Sequence, residues 1–219
     1  MNPEQLAAQL RCPHDDDGLK VASSMDQRNA EVIEAAYAAL DCRAGQRVLE
    51  IGPGGGGHVA TLLRDRPGLD YTGLDLSPLM VREARAANHD WVEKGRARFL
   101  LGDLLAPPLA DGGMDRIVAV NVVYFWQPLA PALERIHALL APGGRCALGL
   151  RSRASMRELP VFEHGFALYD GPDLVAALEA AGFHSVRLEQ AREETVNVLG
   201  QMMDKERLVV VGDKAETSE

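Results

Sequence analysis

The sequence predicts a single α/β domain built on a mostly parallel sheet with helices on both faces. Three observations predict it. Short apolar runs of strand length alternate with stretches of helical periodicity along the chain. The run VLEI at 48–51 opens directly into the glycine-rich loop GPGGGG at 52–57, the signature of a strand-to-helix turn where a ligand can touch bare backbone. Asp75 closes the next apolar run, LDYTGLD, twenty-three residues after Gly52. In a βαβ unit that spacing sets a carboxylate at the same carboxyl edge of the sheet.

Residues 1 to about 27 carry a short helical pattern and then an acidic, turn-rich link, His14 to Gly18, and this segment is expected to fold over the core. Val32, Ile33, Ala36, Tyr37 and Leu40 repeat at helical spacing, which predicts a helix over 28–40 packed on the sheet. The first strand is Arg47 to Ile51, and a helix starts near Gly57. The second strand is Leu69 to Asp75. Ser77 and Pro78 then read as an N-cap and a first-turn proline, with Met80, Ala84, Ala87 and Trp91 on one face of the helix that follows. Ala97 to Leu101 is the third strand. Beyond the Pro107-Pro108 loop and the Gly112-Gly113 turn, the fourth runs Asp115 to Asn121, and its unbroken IVAV suits burial on both faces. Leu129, Leu133, Ile136 and Leu140 mark a helix ended by Pro142-Gly143-Gly144, and Arg145 to Leu150 is the fifth strand. Residues 151–169 mix three arginines, two phenylalanines, a tyrosine and a histidine without periodicity. A helix resumes over 172–181. Ser185 to Gln190 and Arg207 to Gly212 read as two last strands joined by a long polar linker, and 213–219 as a disordered tail.

A chain of 219 residues suits one such domain, 1–219, rather than two. Its 23 basic against 32 acidic residues, a net charge of −9, weigh against a general attraction to nucleic acid or an anionic membrane. No basic stretch leads into an apolar one near Met1, and no apolar run approaches the roughly 18 residues of a membrane span. A cytoplasmic protein is expected. Cys12, Cys42 and Cys146 are odd in number and far apart, which argues against disulfides or a zinc site. No metal is expected.

Glycines in the loop let the main chain turn with positive φ and approach a nucleotide-like ligand, and an acid at the edge of the next strand can accept hydrogen bonds from a ribose diol. The pairing points to a bound nucleoside. Gly52, Gly54 and Gly57 also satisfy G-x-G-x-x-G, so a dinucleotide remains open on this signal alone. Other features separate the two. Glu50 sits inside the strand end, Gly102-Asp103 after RARFLLGD adds a further carboxylate at the same edge, and VNVVYFW (120–126) and LLAPGGRCALGL (139–150) follow in order. From about Arg47 to Phe183 these motifs resemble the class I S-adenosylmethionine-dependent methyltransferases.

The resemblance implies a Rossmann-like doubly wound fold whose seven strands end in a hairpin, the final strand antiparallel. It implies S-adenosylmethionine as the cofactor and S-adenosylhomocysteine as product, the methyl passing in line to a small-molecule nitrogen or oxygen. Glu50, Gly52, Gly54 and Gly56 would hold the methionine end, Asp75 the ribose, Leu76 the adenine face, Asp103 with Leu104 the adenine edge, and the Asn121 carbonyl the amino group. Loop stabilisation is the competing role for Glu50, a helix N-terminus effect for Asp75 and turn formation for Asp103. Tyr124 and Trp126 follow the fourth strand, where their π-faces could meet the acceptor, with core packing as the alternative. His58, in the first turn after the glycines, either faces the methyl or caps the helix; Tyr124 and His58 are the catalytic candidates. Arg151, His164 and Tyr169 belong to the irregular segment and are candidates for acceptor binding, against a solvated loop. Residues 1–29 and 151–171 are expected to close the acceptor site, and the protein to work as a monomer or homodimer.

Three rivals remain at this level. An NAD(P)-dependent oxidoreductase or epimerase has the glycine match in its favour but lacks a Tyr-x-x-x-Lys pair. A non-catalytic nucleoside-binding or scaffold protein that keeps the fold without turnover is opposed by Glu50, Asp75 and Asp103, three acids at one edge that a chain released from binding the cofactor should not need. An RNA or protein methyltransferase is opposed by the acidic balance and by Asn121-Val122-Val123-Tyr124 in place of Asn-Pro-Pro-Tyr.

Overall fold

The computed structural model describes residues 1–193, 196–198, 201–203 and 205–216. Two helices, α1 (Pro3–Arg11) and α2 (Asp15–Arg28), precede α3 (Ala30–Leu40) and the core repeat. The repeat runs β1 (Arg47–Ile51), α4 (Val59–Asp65), β2 (Asp70–Asp75), α5 (Pro78–Ala87), α6 (His89–Glu93), β3 (Ala97–Leu101), β4 (Met114–Val120), α7 (Leu129–Leu139) and β5 (Leu140–Arg151). It closes with α8 (Arg153–Met156), α9 (Gly171–Ala180), β6 (His184–Arg192), the short pair β7 (Val196–Val198) and β8 (Gln201–Met203), and β9 (Glu206–Asp213).

Seven strands form one sheet in the order β3-β2-β1-β4-β5-β9-β6, with β9 antiparallel to both of its neighbours and the other neighbouring pairs parallel. This is the Rossmann-like doubly wound sheet that the motifs imply. Strand order reverses between β1 and β4, and the crevice at the carboxyl ends of a sheet at such a switch is where ligands bind. Register brings the functional ends together: Glu50 pairs with Gly73 and with Val118, and Asp75 with Leu101.

Period-two alternation divides the core between the faces. Along β4, Ile117 and Ala119 pack with α7 and α9 through Leu133, Ile136, Leu174 and Leu178. Val118 and Val120 pack on the other face with α3 and α4 through Val32, Ala36 and Leu63. All four of these strand residues are buried, as IVAV predicts, and each large side chain so placed contributes about 1.5–3 kcal/mol.

Several expectations need correction. The acidic stretch after His14 is the first turn of α2, where Asp15, Asp16 and Asp17 complement the positive end of the helix dipole. Ala87 is exposed because α5 ends there, and Asn88 takes the inward position instead, its Nδ2 donating to the carbonyls of Gly56 and Ala84, each at 2.9 Å. Pro142 to Gly144 lie within β5 at a register shift against β4, not in a turn between helix and strand. The linker between the last strands holds the β7–β8 pair. The tail begins ordered: Asp213 ends β9, and Lys214 N–H donates to the Gly144 carbonyl at 2.8 Å. Residues 217–219 lie outside those described. Among the described residues no helix is long and apolar enough to cross a membrane.

Candidate active site

A cavity of about 650 Å³ lies at the carboxyl ends of β1, β2, β3 and β4, roofed by α1, α2 and part of the segment after β5. Its floor is the glycine loop. Gly52 has φ +71°, and a Cβ there would meet Val122 Cγ1 at 2.4 Å. Gly54 has φ +58° with nothing within 4 Å of a Cβ position, so bare main chain faces the cavity. Gly56 does not line it. There a Cβ would press on Asn88 and Ala84 of the α5 region, so the structure gives this glycine a close-packing place away from the wall.

Glu50 is 2% exposed and is the centre of a buried cluster. Tyr37 and Tyr71 hydroxyls each donate to its Oε2 at 2.7 Å, and His58 Nε2 lies 2.8 Å from the same oxygen. Burial alone would raise this carboxyl, but the charge and hydrogen bond of His58, with the bonds from Tyr71 and Tyr37, hold it below the usual value. The two phenols are pushed well above theirs by burial and by the Glu50 charge. His58 precedes α4 but makes no side-chain cap; its ring stands on the cavity wall, oriented by Glu50.

Asp75 accepts from Gly54 N–H at 3.1 Å and from Ser77 N–H at 2.9 Å, one on each carboxylate oxygen. Burial lifts its pKa to about 6 against those backbone bonds. Leu76, 48% exposed, presents an apolar side chain beside it. Asp103 is exposed on the rim, its Oδ1 taking Leu105 N–H at 2.9 Å, and Leu104 is buried behind it. Asn121 holds φ +55°, a left-handed conformation that asparagine tolerates better than most residues, and its Oδ1 accepts from the Tyr124 hydroxyl at 3.1 Å.

Tyr124 sits in a 3-10 turn, Val123–Phe125, and is 3% exposed. Its oxygen accepts Arg151 N–H at 2.5 Å, and its ring packs on Phe166 with centroids 5.8 Å apart. Burial pushes the phenol far above its ordinary value. Trp126 lines the cavity from a half-buried position. Arg151 also lines it, but its guanidinium is ion-paired with Glu193 and donates to the Arg28 carbonyl at 3.3 Å, so its charge is already engaged. His164 is exposed and off the wall. Tyr169 is off it too, its hydroxyl donating to the Trp126 carbonyl at 3.1 Å. His164 faces solvent and Tyr169 packs against the core, while Phe166 is the aromatic of this segment that reaches the cavity wall.

Sequence reasoning singles out the covering segments but not Val21 and Met25 of α2 or Met156 and Phe166 within them, nor Phe125 beside Tyr124 and Lys205 outside them, all of which line the cavity. The i, i+4 spacing of Val21 and Met25 was a readable signal. The position of Lys205 depends on the pairing of the last strands and left none. The roof is fastened at Ser77, whose Oγ accepts from Met80 N–H at 3.1 Å and donates to the Pro13 carbonyl at 2.5 Å.

A family model described as a methyltransferase domain matches residues 49–148. The chain is 25% identical over 200 residues to the O-methyltransferase resE of Aspergillus sclerotiorum, covering 88% of this chain and 75% of that protein. It is 32% identical over 140 residues to the malonyl-[acyl-carrier protein] O-methyltransferase of Enterobacter lignolyticus, 63% of this chain and 50% of that protein. Among solved structures it is similar to a chain of the complex between the Haloferax volcanii Trm112 methyltransferase activator and a methyltransferase. The TM-score is 0.74 at 22% identity, over 90% of this chain and 94% of the other, a likeness of fold.

Proposed function

The chain belongs to the class I S-adenosylmethionine-dependent methyltransferases, and from that premise we propose that it methylates a nitrogen or oxygen of a small molecule enclosed beneath its N-terminal helices. The covered cavity carries this reading. At about 650 Å³ and roofed in part by α1 and α2, it is of the size that takes a small molecule. The net charge of −9 adds to the case against nucleic acid.

The wall suits the cofactor. At Gly54 a side chain would fill space that bare main chain leaves to a ligand. Asp75, Leu76, Asp103 and Leu104 offer carboxylates and apolar surface along one edge for the ribose and adenine, and Gly52, Gly54 and Asn121 the floor for the amino-acid end. When bound, S-adenosylmethionine supplies a methyl group already activated by its sulfonium. The protein's part is to position the acceptor and exclude water. Holding two reactants in line supplies about 7–11 kcal/mol, and a closed roof strengthens every interaction inside it.

Tyr124 contributes a ring rather than a base, because its phenol is held protonated and bonded to Arg151 and Asn121. His58, oriented by Glu50 at the wall, is the residue to take the proton of a hydroxyl acceptor when its ring is neutral, a role worth about 10²–10⁴ in rate. A neutral amine needs no such help. The test is incubation with methyl-labelled S-adenosylmethionine and a whole-cell extract separated by size. Label is expected in the low-molecular-mass fraction, and label confined to RNA or protein would overturn the small-molecule reading.

A further inference from the structure

The charge on the cavity wall opposes that of the chain. With 32 acidic against 23 basic residues overall, the wall nonetheless carries Arg11, Lys20, Arg28, Arg151 and Lys205 against Glu50, Asp75 and Asp103. The three acids stand at the ends of β1, β2 and β3. The basic residues stand on the roof and on the side of β5 and β9.

Lys205 is the centre of that basic side. Its Nζ donates to the Arg28 carbonyl at the end of α2, at 3.3 Å, and lies 4.0 Å from the Glu193 carboxylate. Glu193 is already ion-paired with Arg151, and Arg207 stands 3.7 Å from its other oxygen. Three cations thus share one carboxylate. Arg207 has a second partner in Glu189 at 3.2 Å; Arg151 and Lys205 both point their remaining donors to the Arg28 carbonyl. Burial and the nearby Arg151 depress the Lys205 ammonium, and Glu193 with Glu31 do not make up the difference. A cation short of counter-charge on a cavity wall favours a bound anion. The same wall carries apolar side chains from α2, α3, the aromatic turn and the segment after β5: Val21, Met25, Ile33, Phe125, Met156 and Phe166.

We propose that the acceptor is an anionic amphiphile, its carboxylate or phosphate held by Lys205 and Arg28 and its apolar body lying against Met25, Phe125 and Phe166. The proposal rests on the small-molecule methyltransferase reading above and names its substrate class.

Calorimetric titration tests it on the full chain saturated with S-adenosylhomocysteine. The probes are dodecanoate, dodecyl phosphate, 1-dodecanol, dodecyltrimethylammonium and acetate, each below the concentration at which it forms micelles. One of the two long anions should bind at least about tenfold tighter than the alcohol, the ammonium and acetate, and which one identifies the headgroup. Lys205→Gln and Arg28→Gln should each weaken that anion by about ten- to a hundredfold and leave affinity for dodecanol and S-adenosylhomocysteine unchanged. Lys205→Arg should keep the preference. Dodecanol or the ammonium binding as well as the anions would overturn the proposal, as would acetate matching dodecanoate or both glutamine variants keeping the anion preference. Should Lys205→Gln fail to fold, Arg28→Gln at the exposed end of α2 decides alone. A chain that binds no S-adenosylhomocysteine at all would instead count against the cofactor site, a separate failure.

Discussion

Replacing Asp75 with asparagine separates what the acid costs the free protein from what it gives a bound ribose. Burial raises the carboxyl to about 6, the Glu50 charge adding to the rise and the N–H groups of Ser77 and Gly54 opposing it. Against its ordinary 3.8 the gap is about two units, or about 3 kcal/mol at 1.36 kcal/mol per unit. The folded state therefore binds this proton more tightly than the unfolded chain. The stability it contributes is fully present below about pH 4 and is lost as pH rises through about 6. Asparagine does not titrate, so between those limits the balance should move by about 3 kcal/mol in favour of Asp75→Asn, apart from a pH-independent loss of about 1 kcal/mol for one backbone N–H left without its acceptor. Ligand binding should run the other way. Ribose hydroxyls bond best to the charged carboxylate, so wild-type affinity for S-adenosylhomocysteine should weaken about tenfold per unit below pH 6, and the variant at neutral pH should bind about ten- to a hundredfold more weakly. Urea denaturation and calorimetric titration across about pH 4 to 8 measure both. A wild-type affinity that stays flat across this range, with a variant that binds as tightly, would remove Asp75 from the ribose site.

Gly52→Ala should destabilise by about 1–3 kcal/mol, because its Cβ meets Val122 Cγ1 at 2.4 Å from a positive-φ position. Gly54→Ala should destabilise by only about 1–2 kcal/mol, the cost of a side chain at φ +58° with no clash around it, yet bind S-adenosylhomocysteine at least about tenfold more weakly, since its methyl enters the cavity; normal binding would mean that the ligand does not approach this main chain. Tyr71→Phe should cost about 1.5–3 kcal/mol at neutral pH by removing a bond to the buried Glu50 charge. That penalty should shrink in acid, since Glu50 is depressed and its contribution is lost as pH falls through its folded value; a pH-independent penalty in urea melts would contradict an ionised Glu50. Tyr124→Phe should keep cofactor affinity and most turnover, whereas Tyr124→Ala should lose turnover at unchanged cofactor affinity, and equal activity of both in a labelled-methyl assay would make the ring mere core.

What was legible in the sequence followed from local rules. The glycine loop, the Ser77-Pro78 cap and the IVAV strand each state their geometry within a few residues, and the sheet edge with Gly54, Asp75, Leu76 and Asp103 follows from them. Gly56 packs on the α5 region rather than lining the cavity, and a loop glycine facing a ligand and one facing a helix look alike in one dimension; what distinguishes them is Asn88, thirty-two residues on. The same ambiguity covers His164 and Tyr169, which lie off the wall. In a segment without periodicity no rule says which side chain reaches the cavity, and here Phe166 does while Tyr169 packs on the core and bonds to the Trp126 carbonyl. The engagement of Arg151 by Glu193 and the exposure of Lys205 to the cavity both depend on how β6 and β9 pair, contacts of high sequence separation that single-residue patterns do not encode.

Three consecutive residues join the cofactor edge to the roof. Asp75 ends β2 and holds Gly54 N–H, Leu76 offers an apolar surface to the cavity, and Ser77 caps α5 while binding the Pro13 carbonyl between α1 and α2. An N-cap serine normally needs only to accept, so the hydroxyl proton is available, and here it fastens the roof to the same turn that is proposed to read the ribose. A ligand that draws Asp75 and Leu76 toward it shifts Ser77 with them, since Ser77 N–H is itself bonded to the Asp75 carboxylate. The opposite end of α2 is held at Arg28 by Arg151 and Lys205. The roof is therefore fastened at the Asp75–Ser77 turn at one end and at the basic cluster at the other, so a ligand in either half of the cavity is expected to steady the cover over both.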